Sequence, residues 1–246
     1  MKEWITGRNP IYEALQARRR HFFRLRVAKG IEEKGRVVEI IRTIRGFRLP
    51  IEVVERRVLD PLGENHQGMA LEASDYPYAV LKDIFERAEK RGEPLFVLLL
   101  DVLQNPQNLG TLIRTAEAVG VHGVVIPPNR AAGVTPAVVT ASAGATEHML
   151  VAQSNLAQAM QAIKDANGWV VGLEGSPDAQ PIEKLRLDGP LGLVVGSEGE
   201  GMRALVRKNC DQLLKLPMVG RIESLNAAVA GSVVLYLAYQ ARSPQH

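Results

Sequence analysis

Asn108, Gly110 and Arg114 share a polar stretch that follows the apolar run Leu95–Leu100 and opens a helical pattern. Arg114 has Leu112, Ile113 and Ala116 beside it, and a guanidinium next to an apolar face ordinarily serves an anion. The blander alternative makes Asn108 a helix cap and Arg114 a solvated surface residue. A second stretch carries Gly196, Glu198, Gly199 and Gly201 after another apolar run. Its glycine order differs from the dinucleotide fingerprint, and the Lys and Ser/Thr of a P-loop are missing. Glycines here admit a ligand close to the backbone, with Glu198 as the one carboxylate caught among them. A third stretch runs from Leu216, Pro217 and Met218 to Ser224, Leu225 and Asn226, and leads into an Ala/Gly/Ser-rich helical segment. Each of its two polar ends, taken alone, reads as a cap.

These stretches need elements to position them. From Leu95 onward the pattern alternates: strands at Leu95–Leu100, Gly123–Ile126, Trp169–Leu173, Leu191–Val195 and Leu213–Leu216, with helices at Leu109–Val119, near Leu156–Ala166 and Met202–Arg207, and from about Ser224. Such alternation predicts a parallel sheet covered by helices on both faces. Open parallel sheets bind ligands beyond the carboxyl ends of their strands, which is where all three stretches fall. Upstream, Asn9-Pro10 reads as a cap and first helical residue. Phe23 to Val27 alternates like a half-buried strand. Val37, Ile40, Ile41 and Ile44 have helical spacing up to Gly46, and Ile51–Val54 and Met69–Leu71 read as strands. The organisation expected is a small α/β domain over residues 1–74, a linker with one helix over 75–94, and a larger domain over 95–246.

Charge separates the same regions. The net charge is +3, but residues 1–60 hold 15 Lys/Arg against 8 Asp/Glu, whereas the remaining 186 hold 15 against 19. A basic leading segment on a mildly acidic body points to a polyanion partner. No apolar run approaches the ~20 residues that span a bilayer, and Met1 to Trp4 are followed by no apolar leader segment. The lone Cys210 has no Cys/His cluster around it, so neither a disulfide nor a zinc site is expected, and it reads as a small core residue. A cytoplasmic protein without metal or membrane partner is the expectation.

Taken together, the three stretches resemble the SpoU (TrmH) family of RNA ribose 2′-O-methyltransferases. The resemblance rests on Asn-x-Gly-x-x-x-Arg (Asn108, Gly110, Arg114), on Gly-x-Glu-Gly-x-Gly (Gly196 to Gly201), and on Leu-Pro-Met followed by Ser-Leu-Asn (Leu216 to Met218, Ser224 to Asn226). Gly7 to Pro10 and His66-Gln67-Gly68 are similar to the family's accessory RNA-binding domain, which is related to certain ribosomal proteins. Ala227-Ala228 departs from the Val-Ser that the family commonly shows. The resemblance implies an α/β SPOUT fold with a C-terminal trefoil knot, a homodimer, and S-adenosylmethionine as methyl donor, held by Gly196, Leu216, Met218 and Leu225. It implies Arg114 as the residue acting on the ribose hydroxyl, with Asn108, Glu198, Ser224 and Asn226 in the same site. Glu198 would orient Arg114 or anchor its own loop. Arg8, Asn9, His66 and Gln67 would meet RNA; His66 either stacks on a base or is structural. The branch most resembled methylates a guanosine ribose in large-subunit ribosomal RNA. Transfer RNA as substrate, and a non-catalytic RNA-binding or ribosome-assembly protein on the same fold, are the alternatives.

Overall fold

A computed structural model describes residues 2–222 and 224–242. In chain order the elements are β1 (Lys2–Thr6), α1 (Arg8–Ala17), β2 (Phe22–Ala28), α2 (Arg36–Gly46), β3 (Ile51–Val54), β4 (Met69–Ser74), α3 (Leu81–Arg91), β5 (Phe96–Leu100), α4 (Pro106–Ala118), β6 (Gly123–Ile126), α5 (Pro136–Ala141), β7 (Val151–Gln153), α6 (Leu156–Asp165), β8 (Trp169–Leu173), β9 (Gln180–Pro181), β10 (Leu191–Val195), α7 (Ala204–Asn209), β11 (Gln212–Lys215) and α8 (Ala227–Arg242). They form two compact units. One comprises residues 1–77 and 134–148, the other 78–133 and 149–246.

The larger unit is built on one parallel sheet, ordered β7-β6-β5-β10-β8-β11-β9. Its central strands are buried along their whole length, which explains their unbroken apolar sequences: all five residues of β5 and of β10 are inaccessible to solvent. Side chains alternate between the faces of a strand. Val194 packs with Ile163 of α6 and Val206 of α7 in a core that also takes in Ile84 of α3. The next residue, Val195, faces the other way: a Cβ on Gly231 of α8 would lie 3.2 Å from it. The expected α/β architecture, helices on both faces, follows from this alternation. No helix among the described residues is long and apolar enough to cross a membrane.

The smaller unit carries a sheet ordered β1-β4-β2-β3, in which only β2 and β3 run parallel. The amphipathic stripe of α2 buries Val37, Ile40, Ile41 and Ile44, as its spacing predicts. Helix α1 begins earlier than Asn9-Pro10 suggests. Gly7 is its cap residue at φ 91°, a conformation open to glycine, so Asn9 lies inside the first turn. Residues 134–148 join this unit through α5, which packs on β1, and through an ion pair. The Arg20 side chain is fully buried; its Nε and Nη2 donate to Glu147 Oε2 and Oε1 at 2.8 and 2.7 Å, and Nη1 donates to Glu3 and to the Ser74 carbonyl. Arg19 and Tyr76 hold the same segment by its backbone, at the Glu147 and Thr146 carbonyls.

Two outcomes follow. Burial pushes the Cys210 thiol up to about 12, so about one part in ten thousand is thiolate at pH 8. Native protein should resist iodoacetamide at that pH, and protein in denaturant should react at once. Replacing Arg20 with Met strands the carboxylate of Glu147, whose side chain is 1% exposed. Urea unfolding should then show a loss of about 3–5 kcal/mol; a loss below ~1 kcal/mol would mean that the pair does not hold residues 134–148 in place.

Candidate functional site

The site is assembled where β5 and β10 end side by side, Leu100 opposite Val195. The first residue beyond β5, Asp101, is fully buried, and its carboxylate accepts hydrogen bonds from the Arg203 backbone N–H and Nε, each at 2.7 Å. That pair ties the loop after β5 to the chain leaving the glycine loop after β10. Val102 follows at φ 58°, a left-handed conformation that a β-branched residue rarely adopts and that costs on the order of 1–3 kcal/mol. Asn105 then caps α4, its Oδ1 accepting from the Gln107 N–H at 2.8 Å, and Pro106 takes the first helical position.

Because Asn105 is the cap, Asn108 is released for another task. It is buried in the first turn of α4, and its Oδ1 accepts from Asn226 Nδ2 at 3.2 Å. The same Nδ2 donates to Glu198 Oε1. The other end of the Asn226 side chain caps α8, with Oδ1 accepting from the Ala228 and Val229 N–H groups at 2.9 and 3.1 Å. One carboxamide thus joins α4, the glycine loop and α8. Glu198 bonds Asn226 and makes no contact of this kind with Arg114; of its two expected roles, the loop anchor is the one its contacts match.

The glycine loop is closed on itself. Ser197 and Gly201 exchange backbone hydrogen bonds at 3.0 Å in each direction, and Gly199 and Gly201 adopt φ values of 87° and 68°. At Gly196 a Cβ would lie 2.3 Å from the Gly201 carbonyl carbon, so the position admits glycine alone. Helices α4 and α8 approach closely through Gly231, where a Cβ would sit 2.7 Å from Leu112, and through a 2.9 Å hydroxyl contact between Thr115 and Ser232. Small residues in α8 serve this packing.

Two cavities flank the cluster. The larger, about 470 Å³, is lined by Gly196, Leu216, Met218, Ser224, Leu225 and Asn226, together with Glu174 and Glu198. The smaller, about 320 Å³, is lined by Val102, Gln104, Asn105, Asn108, Glu198 and Glu200. Every residue expected to hold a cofactor therefore meets one cavity. Arg114 stands apart. It is exposed on α4, about 9 Å along the axis from Asn108, and among the described residues it makes no hydrogen bond or ion pair. Among the described residues no group of three or more His, Cys, Asp or Glu could hold a metal ion.

In the smaller unit, Asn9 and Gln67 are exposed and Arg8 is half-buried, with the Arg8 backbone N–H on Gln67 Oε1 at 3.0 Å. His66 is different. It is 4% exposed, its Nδ1 accepts from the Gly68 N–H at 3.0 Å, and its Nε2 lies 3.0 Å from Asp60 Oδ1. An Nδ1 that accepts leaves the proton on Nε2, which donates to Asp60. With both nitrogens engaged and the ring covered, the structural alternative is the one that the contacts of His66 match. Asp101, Arg203, Asn105 and Gln104 were not singled out from sequence. Asn105-Pro106 carried the usual cap-and-proline signal, whereas nothing local marks the Asp101–Arg203 pairing.

Residues 95–236 match the SpoU rRNA Methylase family, and residues 4–79 match the RNA 2′-O ribose methyltransferase substrate binding family. The chain is 42% identical over 247 residues to a Bacillus subtilis (strain 168) protein named for the TrmH family of tRNA/rRNA methyltransferases, covering 98% of this chain and 97% of that one. Among solved structures it is similar to the SpoU methyltransferase AviRb from Streptomyces viridochromogenes in complex with AdoMet, with a TM-score of 0.81 at 24% identity, over 98% of this chain and 90% of that one. The A. aeolicus TrmH/SpoU tRNA modifying enzyme matches at a TM-score of 0.55 and 26% identity, over 66% of this chain and 82% of that one.

Gly196→Ala tests the closed loop. The added methyl must separate Ser197 from Gly201, so the Gly201 amide should lose its hydrogen-exchange protection and the protein about 1–3 kcal/mol. Gly175→Ala, in the same cavity wall with no atom within 4 Å of the added Cβ, should change neither; equal protection in both variants would contradict the loop geometry.

Proposed function

The chain belongs to the SpoU rRNA methylase family, and on that premise we propose that it transfers a methyl group from S-adenosylmethionine to the ribose 2′-hydroxyl of a guanosine in large-subunit ribosomal RNA. The observation that carries this reading is the Asn226 carboxamide, which joins Asn108 and Glu198 at the border of two cavities. The larger cavity fits the donor. Its volume lies in the range of small-molecule sites, Gly196 keeps the backbone open to a ligand, and Leu216, Met218 and Leu225 offer apolar contact near polar groups. These four residues would hold S-adenosylmethionine, which supplies an electrophilic methyl when bound.

The protein's own task is to position and activate a poor nucleophile. A ribose hydroxyl attacks well only as it loses its proton. A guanidinium offers only N–H donors and no acceptor, so Arg114 cannot take that proton. Its charge, unspent on any described partner, suits an RNA phosphate and the alkoxide that develops in the transition state. The proton then leaves to phosphate or water. Asn108 and Ser224 present amide and hydroxyl groups to the ribose, Asn226 positions Asn108 through its own amide, and Glu198 fixes Asn226.

Ribosomal RNA is favoured over transfer RNA because residues 95–236 match a family named for rRNA methylation, while the tRNA-modifying structure leaves a third of this chain unmatched. Arg8, Asn9 and Gln67 are exposed or half-buried there, and Arg42, Arg45 and Arg48 are exposed without an ion pair among the described residues. Such cations make phosphate contacts that carry no sequence information. A homodimer is part of the proposal, supported by the exposed stripe Val229, Val233 and Tyr236 on α8. So is a knotted C-terminal segment, supported by the return of the chain after β11 to Glu198 at Asn226.

Protein supplied with labelled S-adenosylmethionine and unmodified large-subunit rRNA should label the RNA on ribose. Arg114→Ala should lower kcat at least about 100-fold, and Arg114→Lys should retain part of it if charge alone acts. Label on transfer RNA only would keep the enzyme and overturn the substrate. No label on either RNA, with no cofactor binding by calorimetry, would favour a non-catalytic RNA-binding protein.

A further inference from the structure

At the amino ends of the same parallel strands lies a third cavity, of about 330 Å³, lined by Trp169, Lys184, Arg186, Asp188, Pro190 and Gln212. Trp169 opens β8 and Gln212 opens β11. Strands of five residues rise about 3.3 Å per residue, so this cavity lies on the order of 17 Å from the cofactor cavity, at the other end of the sheet.

Its walls are fixed and part of its chemistry is unspent. The Trp169 backbone N–H is bonded to the Pro190 carbonyl at 2.9 Å, but its indole is 57% exposed and has no ring or hydrogen-bond partner among the described residues. A strand that begins on an exposed tryptophan gains nothing from its burial. The loop opposite is anchored by Leu187, which is 4% exposed, and by Arg242, which donates to the Gly189 and Pro94 carbonyls and stacks on the Phe96 ring. Arg186 is oriented by Asp188, with Nε and Nη2 at 3.2 and 2.8 Å from the carboxylate, so its Nη1 remains without a described partner. Lys184 makes no ion pair among the described residues. Residues 61–246 are acidic overall, so two cations on one cavity wall run against the local composition.

An exposed aromatic face beside cations is the arrangement that holds single-stranded nucleic acid: bases stack on the ring and phosphates meet the charges. The volume suits one nucleotide. We propose that this cavity binds one nucleotide of a single-stranded RNA segment, with its base on Trp169 and its phosphate on Lys184 and Arg186. The choice of RNA rests on the function proposed above; the site itself is separate from the methyl-transfer site and extends the RNA footprint to the far end of the sheet. Asp188 and Gln212 supply acceptor and donor groups for a ribose hydroxyl or base edge.

The sequence holds two tryptophans, Trp4 and Trp169, so Trp4→Phe leaves Trp169 as the only indole reporter. In that background, an oligouridylate of about ten nucleotides should quench the fluorescence saturably, and more weakly as salt is raised. Lys184→Ala combined with Arg186→Ala should raise the apparent Kd about tenfold or more. Saturating S-adenosylmethionine should leave the quenching unchanged. Absence of quenching, or quenching that the double variant does not weaken, overturns the site. Uridine monophosphate binding as tightly as the oligomer would make this a free-nucleotide site and also overturn the proposal. Failure of methyl transfer alone would leave the quenching intact, so the two readings fail separately.

Discussion

The side chain of Asn226 has one acceptor and two donor hydrogens, and the larger unit uses both ends of it. The acceptor caps α8, while the nitrogen reaches Asn108 on α4 and Glu198 in the glycine loop. No other side chain of that length does the same. Aspartate would cap the helix as well but would set a carboxylate against Glu198. Serine would cap it and reach neither partner. The burial of Asn108 depends on this choice, since its Oδ1 would otherwise be a covered acceptor with a desolvation cost of about 1–3 kcal/mol. Three segments far apart in the chain are held in register by a single amide.

The amide can work only if the strand ends deliver the loops to it, and the Asp101–Arg203 pair does that. A fully buried carboxylate is costly in isolation, and it is tolerated here because backbone and guanidinium N–H groups converge on it. The same junction carries Val102 in a left-handed conformation and Gly196 in contact with the Gly201 backbone. Strain and close approach gather where the chain must turn sharply beside two cavities, and the paired β5 and β10 behind them, buried throughout, supply the rigidity that holds such conformations.

The buried strands were legible in the sequence because both faces of β5, β8 and β10 are covered or nearly so, and continuous apolar runs have no other use. The amphipathic helix α2 was legible for the same reason at helical period. The glycine loop and the residues around Asn226 were legible as a pattern, although their contacts were not. Pairwise bonding such as Asn226 with Asn108 depends on where two helices meet, which no local spacing encodes. Helix starts slipped where caps compete: Asn9-Pro10 drew the start of α1 away from Gly7, and Asn105-Pro106 went unused in favour of Asn108. Residues 134–148 were unreadable as part of the small unit, because the tie lies in Glu147 finding Arg20 across more than a hundred residues. His66 was ambiguous for a simple reason: a histidine between a carboxylate and a backbone N–H looks, in sequence, like any exposed histidine in a turn.

The division of labour between fixed and unspent groups runs through the larger unit. Asn108, Asn226, Glu198, Asp101 and Arg203 satisfy one another, so their geometry is set before any ligand arrives. Arg114 lies outside that network, on the exposed side of a helix whose buried side is clamped to α8 through Leu112 and Gly231. A guanidinium with all its donors spent on protein acceptors would have to break a bond to meet an RNA phosphate. One left in water loses only hydration, and its backbone is already held by the packing of α4. The placement of Arg114 thus combines a rigid backbone with a charge that no described partner takes up.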